Sequence, residues 1–132
     1  MGSINSFRDL VVWQRSMDPA VCVYKWTAGF PDYERYGMIS QMRRSAASVP
    51  NNIAEGWGKG TTRLFLRPLR DARGSLAELE TQIELAARVL DRQASVEILD
   101  LRARSAQLVQ ALMNSPEAKL QEDEGERGGR DA

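Results

Sequence analysis

The most regular hydrophobic pattern in the chain lies at residues 65–90, which read FLRPLRDARGSLAELETQIELAARVL. Its apolar positions alternate in steps of four and three residues, the spacing of one face of a long α-helix. These positions are Phe65, Leu69, Ala72, Leu76, Leu79, Ile83, Ala86 and Leu90. Thr61 or Thr62 can cap this helix, and we expect it to run to about residue 92.

Similar spacing predicts three further helices. The first is expected over residues 8–28 and the second over residues 33–58 with Asp32 as its cap; the last begins after a Ser95 cap and ends before Pro116. Their apolar stripes are Leu10, Trp13, Met17, Ala20 and Tyr24, then Ile39, Met42, Ala46, Val49 and Ile53, then Ile98, Leu101, Ser105, Leu108 and Leu112. Pro19, Pro50 and Pro68 fall inside helices, where we expect kinks.

Short connections between four helices predict an all-α fold, an antiparallel up-down-up-down four-helix bundle, because short loops force neighbouring helices to run in opposite directions. We expect this bundle to occupy residues 1–115. Residues 116–132 are rich in charged residues and glycine, and Leu120 is their one sizeable aliphatic side chain. That composition predicts a disordered, charged C-terminal tail.

The composition removes many classes of enzyme. The chain has 18 basic and 18 acidic residues, one cysteine and no histidine. Imidazole acid–base chemistry, serine–histidine nucleophiles and histidine-ligated metals are therefore excluded. We expect no metal, no cofactor and no catalytic residue, and place Glu78, Glu80 and Glu84 on a solvated or salt-bridging face.

With no long apolar run or signal peptide, we expect no membrane segment and a cytoplasmic location.

Charge is distributed unevenly along the chain. Residues 35–73 carry a net charge of +6, whereas residues 74–100 carry −4. Arg63, Arg67 and Arg70 share one helix face because they are spaced i, i+4, i+7. Clustered arginine is the electrostatic signature of phosphate binding. The candidate nucleic-acid-binding residues are Arg43, Arg44, Lys59, Arg63, Arg67, Arg70 and Arg73.

Two polar residues and an excess of apolar ones complete the pattern. Asn52 and Glu55 lie near the core stripe of the second helix, and we expect a structural polar network in which Glu55 pairs with an arginine.

One bundle seam does not use all the large apolar side chains, so we expect a subunit interface to cover some of them. They are Val11, Val12, Val21, Val23, Trp13, Trp26 and Trp57.

Several segments resemble a known family. The closest are residues 49–58 (VPNNIAEGWG) and 72–82 (ARGSLAELETQ), followed by 7–18 (FRDLVVWQRSMD) and 41–46 (QMRRSA). They resemble the four-helix-bundle proteins encoded in 23S ribosomal RNA intervening sequences, over about residues 6–113. Pro19 and Pro68 depart from that pattern, which typically has an aliphatic and an aromatic residue there.

The resemblance implies a small antiparallel bundle that assembles as a ring-like homopentamer, similar in fold to diversity-generating retroelement accessory proteins, which bind nucleic acid through a basic surface. It implies no catalytic residue. The chain is therefore expected to be a non-enzymatic homo-oligomer that binds RNA or DNA, in association with ribosomal RNA or the ribosome, through its basic face. Two alternatives stay open: a protein-interaction scaffold whose arginines form intersubunit salt bridges, and an enzyme that uses carboxylates and arginine alone.

Overall fold

A computed structural model describes residues 4–115 as four antiparallel α-helices, and this part of the chain contains no β-strand. The helices are α1 (Val11–Thr27), α2 (Ser40–Gly58), α3 (Thr62–Val89) and α4 (Val96–Met113). A 3-10 turn precedes α1, and a 3-10 turn and a π-turn precede α2. The predicted up-down bundle is confirmed, whereas the predicted tail at residues 116–132 lies outside the described residues.

α3 matches its prediction closely. The Thr61 hydroxyl accepts the backbone N–H of Leu64 at 3.3 Å, which satisfies one of the unpaired donors at the start of the helix. The seam from Phe65 to Ala86 is buried at every predicted position, and Leu90 follows as the partly buried C-cap residue. The 4-3 spacing therefore identified the central helix of the core.

α2 buries the predicted stripe but starts later than expected. Met42, Ala46, Val49 and Ile53 are all buried, whereas Asp32 does not cap the helix. Instead the Glu34 carboxylate accepts the backbone N–H of Met38 at 2.9 Å. The chain passes through non-helical backbone angles at Gly37, so the regular helix begins only at Ser40.

The buried face of α1 is rotated from the predicted one. Met17 and Tyr24, expected in the core, are 36% and 46% exposed, while Ser16, Val23 and Thr27 are fully buried. The Ser16 and Thr27 hydroxyls donate to backbone carbonyls of their own helix, each at 2.7 Å. Because these hydroxyls are satisfied locally, two small polar residues can occupy the helix interface, and hydrophobicity alone misassigned the face.

In α4, as in α1, a small hydroxyl residue occupies the buried face. Ile98, Ser105 and Val109 are buried, whereas the predicted Leu101, Leu108 and Leu112 are only partly buried. The Ser95 cap is confirmed, since its hydroxyl accepts the N–H of Ile98 at 3.2 Å. Ser105 donates its hydroxyl proton to the carbonyl of Arg15 at 3.1 Å and so ties α4 to α1.

The three prolines do not end their helices. α1, α2 and α3 continue through Pro19, Pro50 and Pro68, and all three rings are buried. Each ring removes one backbone donor but adds apolar packing volume. No helix within residues 4–115 has the length and apolar character needed to cross a membrane.

The core has two clusters, one toward each end of the bundle. One cluster includes Val23, Met42, Leu79 and Ile98. The other, which we call the turn-end cluster, lies beneath the α2–α3 turn; it comprises Val12, Val49, Ile53, Phe65, Leu69, Ala72, Leu76 and Val109. The predicted basic residues of α3 project from the end of the bundle that the turn-end cluster supports.

Candidate nucleic-acid interface

The packing of α2 against α3 fixes which charged residues come together. Near one end of this helix pair, the Ser45 hydroxyl donates to the Glu78 carboxylate at 3.3 Å. Near the other end, Gly56 lies so close to α3 that an added Cβ would be 3.0 Å from the Cβ of Pro68. This antiparallel register places the end of α2 beside the start of α3.

Four exposed cations surround this end of the bundle and form what we call the basic face. It comprises Lys59 at the C-cap of α2 and Arg63, Arg67 and Arg70 on α3. The α3 arginines point away from the core because Phe65, Leu69 and Ala72 occupy the opposite side of the helix. The structure therefore brings together four of the seven cations selected from the sequence.

An open cleft of about 260 Å³ borders the basic face between α2 and α3. Asn52, Glu55 and Lys59 line it from α2, and Leu64, Arg67, Pro68 and Asp71 line it from α3. Asp71 was not selected from the sequence; its spacing of four residues from Arg67 would have placed it on this side of the helix. The cleft therefore carries both acidic and basic groups.

Asn52 and Glu55 do not make the contacts expected of a buried network. Asn52 donates its side-chain N–H to the carbonyl of Ser48 at 2.8 Å. Glu55 is exposed and pairs with Lys59, not with an arginine, at a distance of 3.9 Å between Oε1 and Nζ. An exposed pair of this length contributes little to stability, so Lys59 can exchange it for another anion.

Arg43 lies apart from the basic face and faces α1. Its Nε donates to the Thr27 hydroxyl at 2.9 Å and its Nη2 donates to the carbonyl of Tyr24 at 3.1 Å. Its guanidinium also lies 4.8 Å from the centre of the Tyr24 ring. These contacts make Arg43 part of the α1–α2 interface.

Arg44 and Arg73 also lie outside the basic face. Arg44 is exposed near the start of α2, several turns from Lys59. Arg73 donates to the side-chain oxygen of Gln110 at 3.2 Å, which directs it toward α4. The sequence placed Arg43 and Arg44 across the helical hairpin from the α3 arginines, but the antiparallel register puts the adjacent Ser45 beside Glu78, near the opposite end of the helix pair.

Exchanging Arg43 for methionine should lower the free energy of unfolding by about 1–2 kcal/mol, because two hydrogen bonds and an aromatic contact are lost. The neighbouring Arg44→Met variant removes the same charge from an exposed position and should change stability by less than about 0.5 kcal/mol. Urea unfolding of both variants measures the difference. Equal stabilities would show that the Arg43 contacts carry no net energy.

Two glutamates in the acidic second half of α3 form ion pairs within the described residues. Glu80 lies 3.5 Å from Arg102 of α4, and Glu84 lies 3.6 Å from Arg88 one turn later. The carboxylates of Glu80 and Glu84 are otherwise well exposed. Within the part of the chain that the structure describes, no group of histidine, cysteine and acidic residues is arranged to hold a metal ion.

Cys22 packs beside the core as a protonated thiol. Desolvation by burial raises its pKa, and the carboxylate of Glu97 raises it further. A thiol with a raised pKa is a poor nucleophile at neutral pH. The side chain therefore acts as a small apolar residue.

The surface feature predicted least well from the sequence is an apolar groove of about 580 Å³ between α1 and α2. Its walls include Trp13, Met17, Val21, Tyr24, Pro50 and Ala54. Val11 and Val21 are exposed as expected, but Val12 and Val23 are in the core. Trp26 and Trp57 pack against the two core clusters. The signal in the sequence that could have revealed this groove is a second apolar stripe on α1, formed by Met17, Val21 and Tyr24.

Comparison with known protein families confirms the resemblance found in the sequence. The family model described as "23S rRNA-intervening sequence protein" matches residues 8–114, most of the chain. The comparison with curated proteins finds no match. The matched region contains all four helices, the basic face and the apolar groove. The chain therefore belongs to the 23S rRNA-intervening sequence protein family.

Proposed function

We propose that the chain is a non-enzymatic, cytoplasmic homo-oligomer that binds structured RNA or DNA through the basic face. The observation that supports this most directly is the exposure of Lys59, Arg63, Arg67 and Arg70 at one end of the bundle. The family's connection with 23S ribosomal RNA makes ribosomal RNA the first ligand to test.

Binding in this proposal depends mainly on the phosphate backbone. Arginine side chains that neutralise phosphates release condensed counterions, so affinity falls steeply as salt rises. The α3 arginines project at fixed helical intervals from a rigid element, and Lys59 can leave its weak pair with Glu55. Contacts of these cations with phosphate oxygens carry no direct information about the bases. We therefore expect little dependence on base sequence.

The test measures binding of a labelled 23S ribosomal RNA fragment across a salt series. The double variant Arg63→Gln/Arg67→Gln should bind on the order of tenfold or more weakly near 0.1 M salt, and its salt dependence should decrease by about two counterions. The matched control, Arg88→Gln/Arg92→Gln, removes two exposed charges near the opposite end of the bundle and should bind like the unmodified chain. No binding by the unmodified chain at ~50 mM salt would reject the proposal.

Assembly is the second part of the proposal. Met17, Val21 and Tyr24 expose apolar surface in the α1–α2 groove, and such a continuous apolar surface is typical of a subunit interface. We propose that a neighbouring copy covers it in a ring of five chains, which would strengthen binding by presenting five basic faces together. Native mass spectrometry should give five times the 14.8-kDa chain mass; a monomer would reject this assembly.

One observation favours a scaffold as the second candidate. The exposed carboxylates of Glu80 and Glu84 lie on the same helix as the basic face, separated along its length. Neighbouring copies could pair these opposite charges and use the arginines for assembly. In that case Arg63→Gln/Arg67→Gln would lower the native mass, and the unmodified chain would not bind RNA.

A further inference from the structure

The end of α4 lies at the same end of the bundle as the basic face. Leu112 and Met113, in the last turn of α4, pack against the turn-end cluster, to which Phe65 and Leu69 belong. The contact between Gln110 and Arg73 also joins the last turns of α4 to the first half of α3. The chain therefore continues beyond Ser115 from a point close to the basic face.

The residues that follow have the opposite charge. Residues 117–126 read EAKLQEDEGE and carry five acidic side chains and one lysine, a net charge of −4. Residues 55–73, which include the basic face, carry a net charge of +3. At the other end of the bundle, the −4 charge of residues 74–100 is offset by Lys25, Arg35, Arg43 and Arg44, so cations and anions are mixed there. The basic face is complementary in charge to the acidic segment.

The connection is long enough for a direct contact. Glu122 is seven residues beyond Ser115, a reach of up to about 24 Å when extended. Arg63 and Arg70 are separated by about 10 Å along α3, at 1.5 Å per helical residue. A segment tethered this closely has a high effective concentration at the surface beside it. Weak ion pairs can then compete with an external ligand.

We propose that residues 117–126 bind the basic face of their own chain and compete there with nucleic acid. The contact itself depends only on charge and tethering, whereas its effect on ligand binding rests on the proposed function. A polyanion must displace the acidic segment before it binds. The segment therefore favours ligands that engage several basic faces at once over short or isolated phosphates.

Zero-length carbodiimide crosslinking of the full chain tests the contact without any ligand. The reagent joins a lysine to a carboxylate only when the two touch. We expect crosslinks from Lys59 to Glu122, Asp123, Glu124 or Glu126 at low salt, and their loss at about 0.5 M salt, where charges are screened over a few ångströms. Lys25, at the end of α1 away from the basic face, is the internal control. Because it lines the α1–α2 groove, its reaction with a small amine-modifying reagent must first show that assembly leaves it accessible.

Mixing isotopically light and heavy chains identifies crosslinks within one chain, because those contain a single label. Crosslinks to Lys59 that are mixed in label would place the segment on a neighbouring copy and contradict the proposal. An equal yield at Lys25 and Lys59 would also contradict it.

The effect on ligand binding is tested with a charge-neutralised segment in the full chain. The variant Glu122→Gln/Asp123→Asn/Glu124→Gln/Glu126→Gln should bind the 23S ribosomal RNA fragment on the order of tenfold more tightly at low salt. The matched control neutralises four exposed carboxylates near the opposite end, Glu84→Gln/Asp91→Asn/Glu97→Gln/Asp100→Asn. It makes the same change in net charge and should alter affinity by less than about twofold.

The two readouts separate this inference from the proposed function. If RNA binds but neither crosslinking to Lys59 nor a specific gain in affinity is seen, the inference is overturned and the proposed function stands. If the Lys59 crosslinks form but RNA does not bind, the contact stands and the proposed function fails. Equal gains in affinity from the neutralised segment and from its matched control would show that net charge alone causes the gain. That result would contradict the proposed competition between the segment and nucleic acid.

Discussion

Leu69→Ala should lower the free energy of unfolding by about 3 kcal/mol, the typical loss for a buried leucine when its site cannot collapse fully. Leu69 is 2% exposed and lies in the turn-end cluster, between Phe65 and Ala72 on the seam of α3. Its truncation removes apolar contacts from α2 and leaves a cavity beneath the basic face. Urea unfolding at one fixed protein concentration measures the loss, because assembly would add to stability.

Leu64→Ala is the matched control for this loss. Leu64 lies on the outer side of the same helix and is 47% exposed, so its truncation should cost less than about 0.5 kcal/mol. Comparable losses at the two positions would mean that the 4-3 seam is not the buried face of α3.

Gly56→Ala should lower the free energy of unfolding by about 1–3 kcal/mol, even though alanine is the better helix former. Its new Cβ would lie 3.0 Å from the Cβ of Pro68 and 3.2 Å from Cδ1 of Phe65. The Pro68 ring is fixed to its own backbone and cannot move aside without moving α3. The helices must therefore separate, which loosens the packing of the turn-end cluster.

Gly58→Ala should instead raise the free energy of unfolding. An added Cβ there meets nothing within 4 Å, so alanine should raise stability by up to about 1 kcal/mol through its lower backbone entropy when unfolded. Thermal unfolding of the two single variants provides the comparison. Stabilisation by both would show that α3 moves aside at Gly56.

The sequence predicted the fold well wherever one side of a helix is uniformly apolar. α3 has one such side, and its seam and cap were both located correctly. α1 has two apolar sides, because Met17, Val21 and Tyr24 form a second stripe beside the core. Periodicity measures apolar spacing and does not show which stripe meets the neighbouring helices. The small hydroxyl residues Ser16 and Thr27 marked the buried side.

The sequence predicted correctly which arginines of α3 lie together in the candidate interface, but it did not predict that Arg43 and Arg73 lie outside it. Arg63, Arg67 and Arg70 lie on one helix, so their spacing alone placed them together. Arg43 and Arg73 depend on contacts with other helices, and a guanidinium serves equally well as a hydrogen-bond donor to Thr27 or Gln110. Charge counts do not distinguish these uses, because the distinction depends on the register between helices.

The hydrogen bond from Ser105 to the carbonyl of Arg15 makes α1 tolerant of its internal proline. In a regular helix that carbonyl would accept the N–H of the residue four positions later, which is Pro19 and has no N–H to give. The Ser105 hydroxyl from α4 supplies the missing donor. Positions 19 and 105 are thus coupled across two helices, and among relatives we expect a proline at the first position to be accompanied by a small hydroxyl residue at the second.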